Sequence, residues 1–415
     1  MVYEFTIPTL PATVSLSLRP ASTSIMLDHD RVYAFDGAGR LLTAFSDERL
    51  YKRGLDHRMM VKWRPDAPGR PEHIHRDVPD DEKRRLVDTV RDVIGQIVDA
   101  LPPNTPPGCR ERLEQIVGWD NAAYAADCER FTQVYQPVPI LPPDQYLALV
   151  LQATEGCHYN HCTFCRFYRG RRFRIKSADE FAAHIRGARE FLGAGLGMRR
   201  TIFLADANAL IAPAERLIDF FDAINNAFEV APAQLNGAAL ADWRAQHPLG
   251  VTGIYSFLDA FTGKRKTREE FETLVTRGLR RVYIGMESGH TPLLEFLCKP
   301  SMPNDVRAVV QAAKAAGAHV GVIIMLGIGG ERYAAGHVAD TIAVVNSLGL
   351  DASDILYFSP FVDEPGSEYD ALTSAAGVRP LTGEEIQDQG RAIRAGLRFV
   401  APPRISTYDV REFIY

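Results

Sequence analysis

Three of the six cysteines fall within nine residues, in Glu155-Gly-Cys157-His-Tyr-Asn-His-Cys162-Thr-Phe-Cys165. Four residues separate the first pair and two the second. Thiolates are soft ligands, and three on one short loop can wrap a metal centre without help from distant residues. A structural site is usually closed by four protein ligands, whereas three leave a position open to something that reacts. Two chemistries suit the loop at this point: an iron–sulfur cluster, or zinc with His158 or His161 as fourth ligand. Disulfide bonding is not expected in a chain with no mark of secretion.

Such a loop needs a scaffold, and the flanking pattern supplies one. Tyr146 to Thr154 is a short apolar run that reads as a buried strand, with the cysteine loop directly at its C-terminal end. Five further runs read as strands: Thr201 to Leu204, Gly253 to Leu258, Val282 to Gly285, Val320 to Leu326 and Ile355 to Phe358. Helical segments lie between them, two opened by capping boxes at Ser177-Ala-Asp-Glu180 and Thr267-Arg-Glu-Glu270. Alternating strands and helices imply parallel pairing with right-handed crossovers. Six units are too few for a closed eight-fold barrel, so an open partial barrel is expected. Ligands gather at the C-terminal strand ends of such folds. Ala205-Asp-Ala-Asn208, Glu287-Ser-Gly289, Gly327-Ile-Gly-Gly330 and Ser359-Pro-Phe361 all stand there beside the cysteine loop.

Outside this part the sequence is less informative. Residues 1–140 form an N-terminal α+β accessory region. It holds a glycine-turn hairpin of residues 31–35 and 40–45, a Pro/His-rich linker from Pro65 to Pro79, and a helix from Asp80 to Leu101 with Leu86, Val90, Val93, Ile94 and Ile97 on one stripe. The barrel occupies 141–375. Residues 376–415 read as a closing helix capped at Thr382-Gly-Glu-Glu385, then a tail. Cys109, Cys128 and Cys298 read as packed thiols. No second cysteine set marks an auxiliary cluster, and no cobalamin-binding pattern is visible.

With 47 basic and 52 acidic residues the net charge is −5, no bulk signal for nucleic acid or an anionic membrane. The N-terminal stretch lacks a signal-peptide pattern, and the longest apolar run, Val320 to Ile328, is too short to span a bilayer. A cytoplasmic protein is the expectation.

From about Pro142 to Tyr369 the sequence resembles the radical S-adenosylmethionine (radical SAM) superfamily. It is similar to the branch of elongator-type catalytic subunits, methylthiotransferases and coproporphyrinogen dehydrogenase/haem chaperones. The resemblance rests on the cysteine loop with Phe164 before its last cysteine, on Tyr283-Ile-Gly-Met-Glu-Ser-Gly289 followed by Lys299, on Met325-Leu-Gly-Ile-Gly-Gly-Glu331, and on Ser359-Pro-Phe-Val-Asp-Glu-Pro-Gly366. Two features depart from the family. Its commonest spacing puts three residues between the first two cysteines, and its glycine-glycine-glutamate motif is here Asp206-Ala-Asn208.

The resemblance implies a partial (β/α)6 barrel of the radical SAM type. It implies that Cys157, Cys162 and Cys165 hold three irons of a [4Fe-4S] cluster. S-adenosylmethionine would chelate the fourth iron and be cleaved to a 5′-deoxyadenosyl radical, which abstracts hydrogen from a small-molecule substrate. Cofactor contacts are then expected from Phe164 at the adenine, Glu287 and Ser288 at the ribose, Asp206 and Asn208 at the ammonium, and the backbone of Gly327 and Gly329. The outcome would be that of an oxidoreductase or a transferase. Arg166, Arg169, Arg171, Arg172, Arg174 and Lys176, interleaved with aromatics, suggest a docking patch for a flavodoxin or ferredoxin reductant, or an anchor for anionic substrate. An RNA-modifying member and a zinc-stabilised binding module without catalysis stand as alternatives.

Overall fold

In a computed structural model of the chain, residues 2–7, 12–64 and 74–415 are described. The chain divides into two units: residues 1–141, 186–200 and 411–415, and residues 142–185 and 201–410.

The first unit begins as an antiparallel meander of eight strands, each paired with the next. They are β1 (Val2–Ile7), β2 (Ala12–Arg19), β3 (Ser22–Leu27), β4 (Arg31–Asp36), β5 (Leu41–Ser46), β6 (Arg49–Arg53), β7 (Met59–Trp63) and β8 (Ile74–Asp77). Alternation puts Val14, Leu16, Ile25, Leu27, Tyr33 and Phe35 on one buried face, as a sheet covered on one side requires. The hairpin read from residues 31–35 and 40–45 is β4–β5. Part of the Pro/His-rich passage, residues 65–73, lies outside the described residues. The rest is not all linker, because β8 occupies Ile74–Asp77. Helices α1 (Asp80–Asp99), α2 (Cys109–Val117) and α3 (Asn121–Val134) follow. Their apolar residues Val87, Val90, Ile94, Ile97, Leu113 and Tyr124 share a core with the meander. Arg40 fastens this unit from within. Its guanidinium donates to both carboxylate oxygens of Asp127 at 2.9 and 3.1 Å and to the backbone carbonyl of Phe191 at 2.6 Å. Removing one partner of so buried a pair strands a charge.

The second unit carries a seven-stranded parallel sheet of β9 (Leu149–Gln152), β12 (Ile202–Ala205), β13 (Ile254–Phe257), β14 (Leu279–Glu287), β15 (His319–Leu326), β16 (Ile355–Pro360) and β17 (Arg404–Thr407), side by side in that order. The first and last are edges, so the sheet stays open, as a partial barrel does. Between β9 and β12, the short pair β10 (Thr154–Glu155) and β11 (Arg174–Ile175) closes the base of the cysteine loop. Helices α4 (Ala178–Leu192), α5 (Ala214–Ala227), α6 (Gly237–Gln246), α7 (Ala260–Gly263), α8 (Arg268–Val275), α9 (Thr291–Phe296), α10 (Pro303–Ala315), α11 (Gly330–Asn346), α12 (Glu368–Ala375) and α13 (Gly383–Gly396) make the crossovers and the C-terminal cover. Every residue of β9 and β12 is buried, as strands covered on both faces must be. The expected partial α/β barrel is therefore present, and the sequence reading missed only its seventh strand. In sequence, residues Arg404–Thr407 read as tail. They are short and half-exposed at an edge, without the apolar run that betrays the others. Asp144 plugs the N-terminal end of the sheet. It accepts from the Tyr283 and Tyr357 hydroxyls, each at 2.7 Å, and from Arg281 at 3.1 Å. Among the described residues no helix is long and apolar enough to cross a membrane.

Candidate active site at the cysteine loop

The cysteine loop leaves β10 at Gly156, whose φ of +74° a side chain would strain. A Cβ there would also press within 3.2 Å of the carbonyls of Arg171 and Arg172, where the loop returns. The loop then meets the C-terminal ends of five strands. After β12, the Asp206 carboxylate accepts the Gly156 N–H at 3.2 Å, with Arg171 at 3.9 Å. After β13, the His158 ring stacks on Phe261 and lies 3.7 Å from Asp259. After β14, Thr163 donates its N–H to the Leu297 carbonyl at 3.1 Å, and the Tyr159 hydroxyl donates to the Cys298 carbonyl at 2.8 Å. After β15 and β16, Phe164 packs with Met325 and Phe361 against the buried group Leu293, Leu297, Ile328 and Tyr369.

The electrostatics centre on Cys162 and Lys299. Burial pushes the Cys162 thiol up to about 12; Cys165, Glu287 and Cys157 add to this, and Lys299 opposes it. Burial likewise raises Cys165, with Cys157 contributing. Cys162 and Cys165 thus stand in a desolvated place, each within the field of Cys157. Thiols raised in this way become anionic when a cationic centre takes them as thiolates. None of the three is in a disulfide. The Lys299 side chain, 11% exposed, places its ammonium 3.2 Å from the Glu287 carboxylate and 5.9 Å above the Phe164 ring. Burial acts to lower its pKa, but Glu287 and Cys162 outweigh that and keep the ammonium charged.

Residues 151–342 match the model of the Radical SAM superfamily. That segment is a radical SAM domain. Members of that superfamily use a [4Fe-4S] cluster and S-adenosylmethionine. No curated protein matches the chain in sequence. Among solved structures it is similar to the Escherichia coli coproporphyrinogen III oxidase, a radical SAM enzyme, at 12% identity and TM-score 0.42, over 64% of this chain and 59% of that one. It is also similar to the radical SAM methyltransferase TsrM of Kitasatospora setae, solved with cobalamin and a [4Fe-4S] cluster, at 16% identity and TM-score 0.39, over 60% and 42%. A third is the archaeal Methanocaldococcus infernus Elp3, at 14% identity and TM-score 0.38, over 62% and 55%. The chain spans between 42% and 59% of these proteins' lengths, and at such distances they add nothing about the reaction.

Within the radical SAM domain the remaining site residues divide into two kinds. Glu287 and Phe164 stand together beside the cysteine loop through Lys299. Asn208 donates to the Asp259 carboxylate, accepts the Asp259 N–H at 3.2 Å, and lies 3.4 Å from His158. His158 is thereby engaged with Asn208, Asp259 and Phe261. Asp206 is turned into the loop, and burial raises its carboxyl to about 7 against the opposing Gly156 N–H and Arg171. Ser288, by contrast, is wholly buried under α11, with its hydroxyl 2.7 Å from His337 Nδ1. The Gly327 N–H donates to Gln389 and the Gly329 N–H to the Tyr369 hydroxyl, each at 2.8 Å. A Cβ at either glycine would meet Ile386 or Leu293 at under 3 Å, and both hold a positive φ, +85° and +80°, so packing and backbone conformation both call for glycine.

Sequence reasoning missed Asp259 and gave Lys299 no role. Asp259 was findable as the first polar residue after an apolar strand and as the cap of a helix, accepting the Thr262 N–H at 2.8 Å. Of the basic run, Arg166 pairs with Glu364, Arg169 with Glu368, Arg171 with Asp206, and Arg174 with Glu155 and Glu180. Lys176 lies 3.7 Å from Glu155, while Arg172 is exposed.

Proposed function

We propose that Cys157, Cys162 and Cys165 hold three irons of the [4Fe-4S] cluster and leave the fourth to S-adenosylmethionine, for hydrogen abstraction from a small-molecule substrate. When bound, this pair of cofactors supplies the electron and the carbon radical for that abstraction. The chain's own residues bind and orient. The Lys299 ammonium balances thiolate charge at Cys162 and offers a partner to the methionine carboxylate. Asn208 and Asp259, with Asp206 behind them, form the polar side that takes the ammonium. Glu287 accepts from the ribose hydroxyls, and Phe164 gives the adenine an apolar face. Ser288, Gly327 and Gly329 hold the rim in shape. The apolar group around Phe164 excludes water, which a carbon radical requires.

The observation that carries this reading is that one loop of three cysteines touches five strand ends around the buried Glu287–Lys299 pair. A zinc module of three cysteines with His158 or His161 has less support, since the His158 ring is stacked on Phe261 with Nδ1 facing Asn208, and His161 is exposed. Anaerobic incubation with S-adenosylmethionine and dithionite tests it. 5′-Deoxyadenosine should form, and deuterium from a labelled substrate should appear in it. We further propose a flavodoxin- or ferredoxin-type reductant, for which the exposed Arg172 beside the loop is the remaining docking charge.

A further inference from the structure

Glu287 holds φ at +60°, a conformation L side chains rarely adopt, at a bulge that shifts the register of β14 against β15. The turn after it lies flat on α11. A Cβ on Gly289 would fall 2.4 Å from the Asp340 carbonyl oxygen. The Gly289 N–H donates to Thr341 Oγ1 at 2.9 Å. Ser288 Oγ accepts the His290 N–H at 3.0 Å and lies 2.7 Å from His337 Nδ1. The Ser288 hydroxyl and His337 Nδ1 thus share one hydrogen bond, while the Ser288 oxygen holds the His290 N–H with its other lone pair. Ser288, His337 and Thr341 are all at 0% exposure, and Thr341 Oγ1 lies 3.3 Å from the same nitrogen. Burial, with His290 nearby, pushes the His337 ring down to about 4, in keeping with a neutral imidazole.

A conformation disfavoured in isolation persists where its surroundings over-determine it. Here the determinants come from a helix some fifty residues further along the chain. We propose that His337, together with Thr341, is a positioning residue for the reaction: through Ser288 and Gly289 it fixes the turn that aims the Glu287 carboxylate at S-adenosylmethionine. The inference rests on the reading of Glu287 as a contact of that cofactor.

Asn places a polar atom where Nδ1 stands, whereas Gln places one where Nε2 stands and Leu restores only bulk. The test is the dissociation constant of S-adenosylmethionine by calorimetry on the anaerobic, cluster-loaded enzyme, with iron content and melting temperature measured in parallel. His337→Asn should bind nearly as tightly as the native protein. His337→Gln and His337→Leu should bind about tenfold more weakly at equal iron content. Equal affinity across the three, or the reverse order with Gln and Leu tolerated and Asn not, overturns the proposal. Should the His337 variants fail to fold, Thr341→Val removes a hydroxyl at constant shape. It should weaken binding measurably, and unchanged affinity in that variant counts against the proposal. Glu287→Gln separates the two readings. If it leaves affinity unchanged, the cofactor role of Glu287 fails; if it weakens affinity while the His337 and Thr341 variants do not, only the positioning role falls.

Discussion

The Lys299 ammonium lies 3.2 Å from the Glu287 carboxylate, and both side chains are about nine-tenths buried. A pair this dry is costly to break, because the survivor keeps its charge without a partner. Replacing Lys299 by Met should therefore destabilise the protein by about 3–5 kcal/mol. It should also weaken S-adenosylmethionine binding more than it lowers iron content. Denaturant midpoints and calorimetry on the same preparation check this.

Gly285 makes room for that carboxylate. A Cβ there would stand 2.4 Å from Glu287 Oε1 and 3.6 Å from Lys299 Nζ. The obstructing atom is the end of a flexible side chain, so Gly285→Ala should displace the carboxylate rather than unfold the domain. Stability should fall by about 1 kcal/mol or less, within the range of ordinary single substitutions, while cofactor affinity drops about tenfold.

Asp206 makes a pH prediction. Its carboxyl is raised to about 7, chiefly by burial. Between about pH 4 and 7 the folded state therefore binds a proton that the unfolded chain has released. Stability contributed by this group is present below pH 4 and is lost as pH rises towards 7. Asp206→Asn should remove that component of the slope, at most about 1.4 kcal/mol per pH unit. Melting temperatures of both proteins across this range decide it. Parallel slopes contradict the assignment.

The cysteine loop stands out in the sequence because its three thiols are contiguous, and Glu287 because a carboxylate closes an apolar strand before a glycine. The open barrel was legible because its inner strands are continuous apolar runs. Lys299 and Asp259 were not, since their value depends on which loops converge, and no local pattern encodes that. Ser288 shows the opposite failure. In sequence it is a hydroxyl beside Glu287, and only the packing of α11 turns it inwards to His337. The spacing of Gly327 and Gly329 cannot distinguish a turn packed on Ile386 and Leu293 from one left open to a ligand. The basic run reads as a patch only until its acidic partners, from Glu155 to Glu368, are folded against it.

Arg166, Arg169, Arg171 and Arg174 have carboxylate partners, so reversing them would disturb the loop itself. Arg172→Glu should slow cluster reduction by flavodoxin, more strongly at low salt, and leave reduction by dithionite unchanged. Equal slowing with both donors removes the docking role.

The most direct measurement is anaerobic reconstitution of the native chain and of Cys157→Ala, Cys162→Ala and Cys165→Ala, followed by iron and sulfide analysis and incubation with S-adenosylmethionine and dithionite. The native protein should be brown, hold about four irons and four sulfides, and release 5′-deoxyadenosine. Each variant should lose the cluster and the product together. A colourless native protein with one zinc, or a variant that keeps full cluster and turnover, contradicts the account.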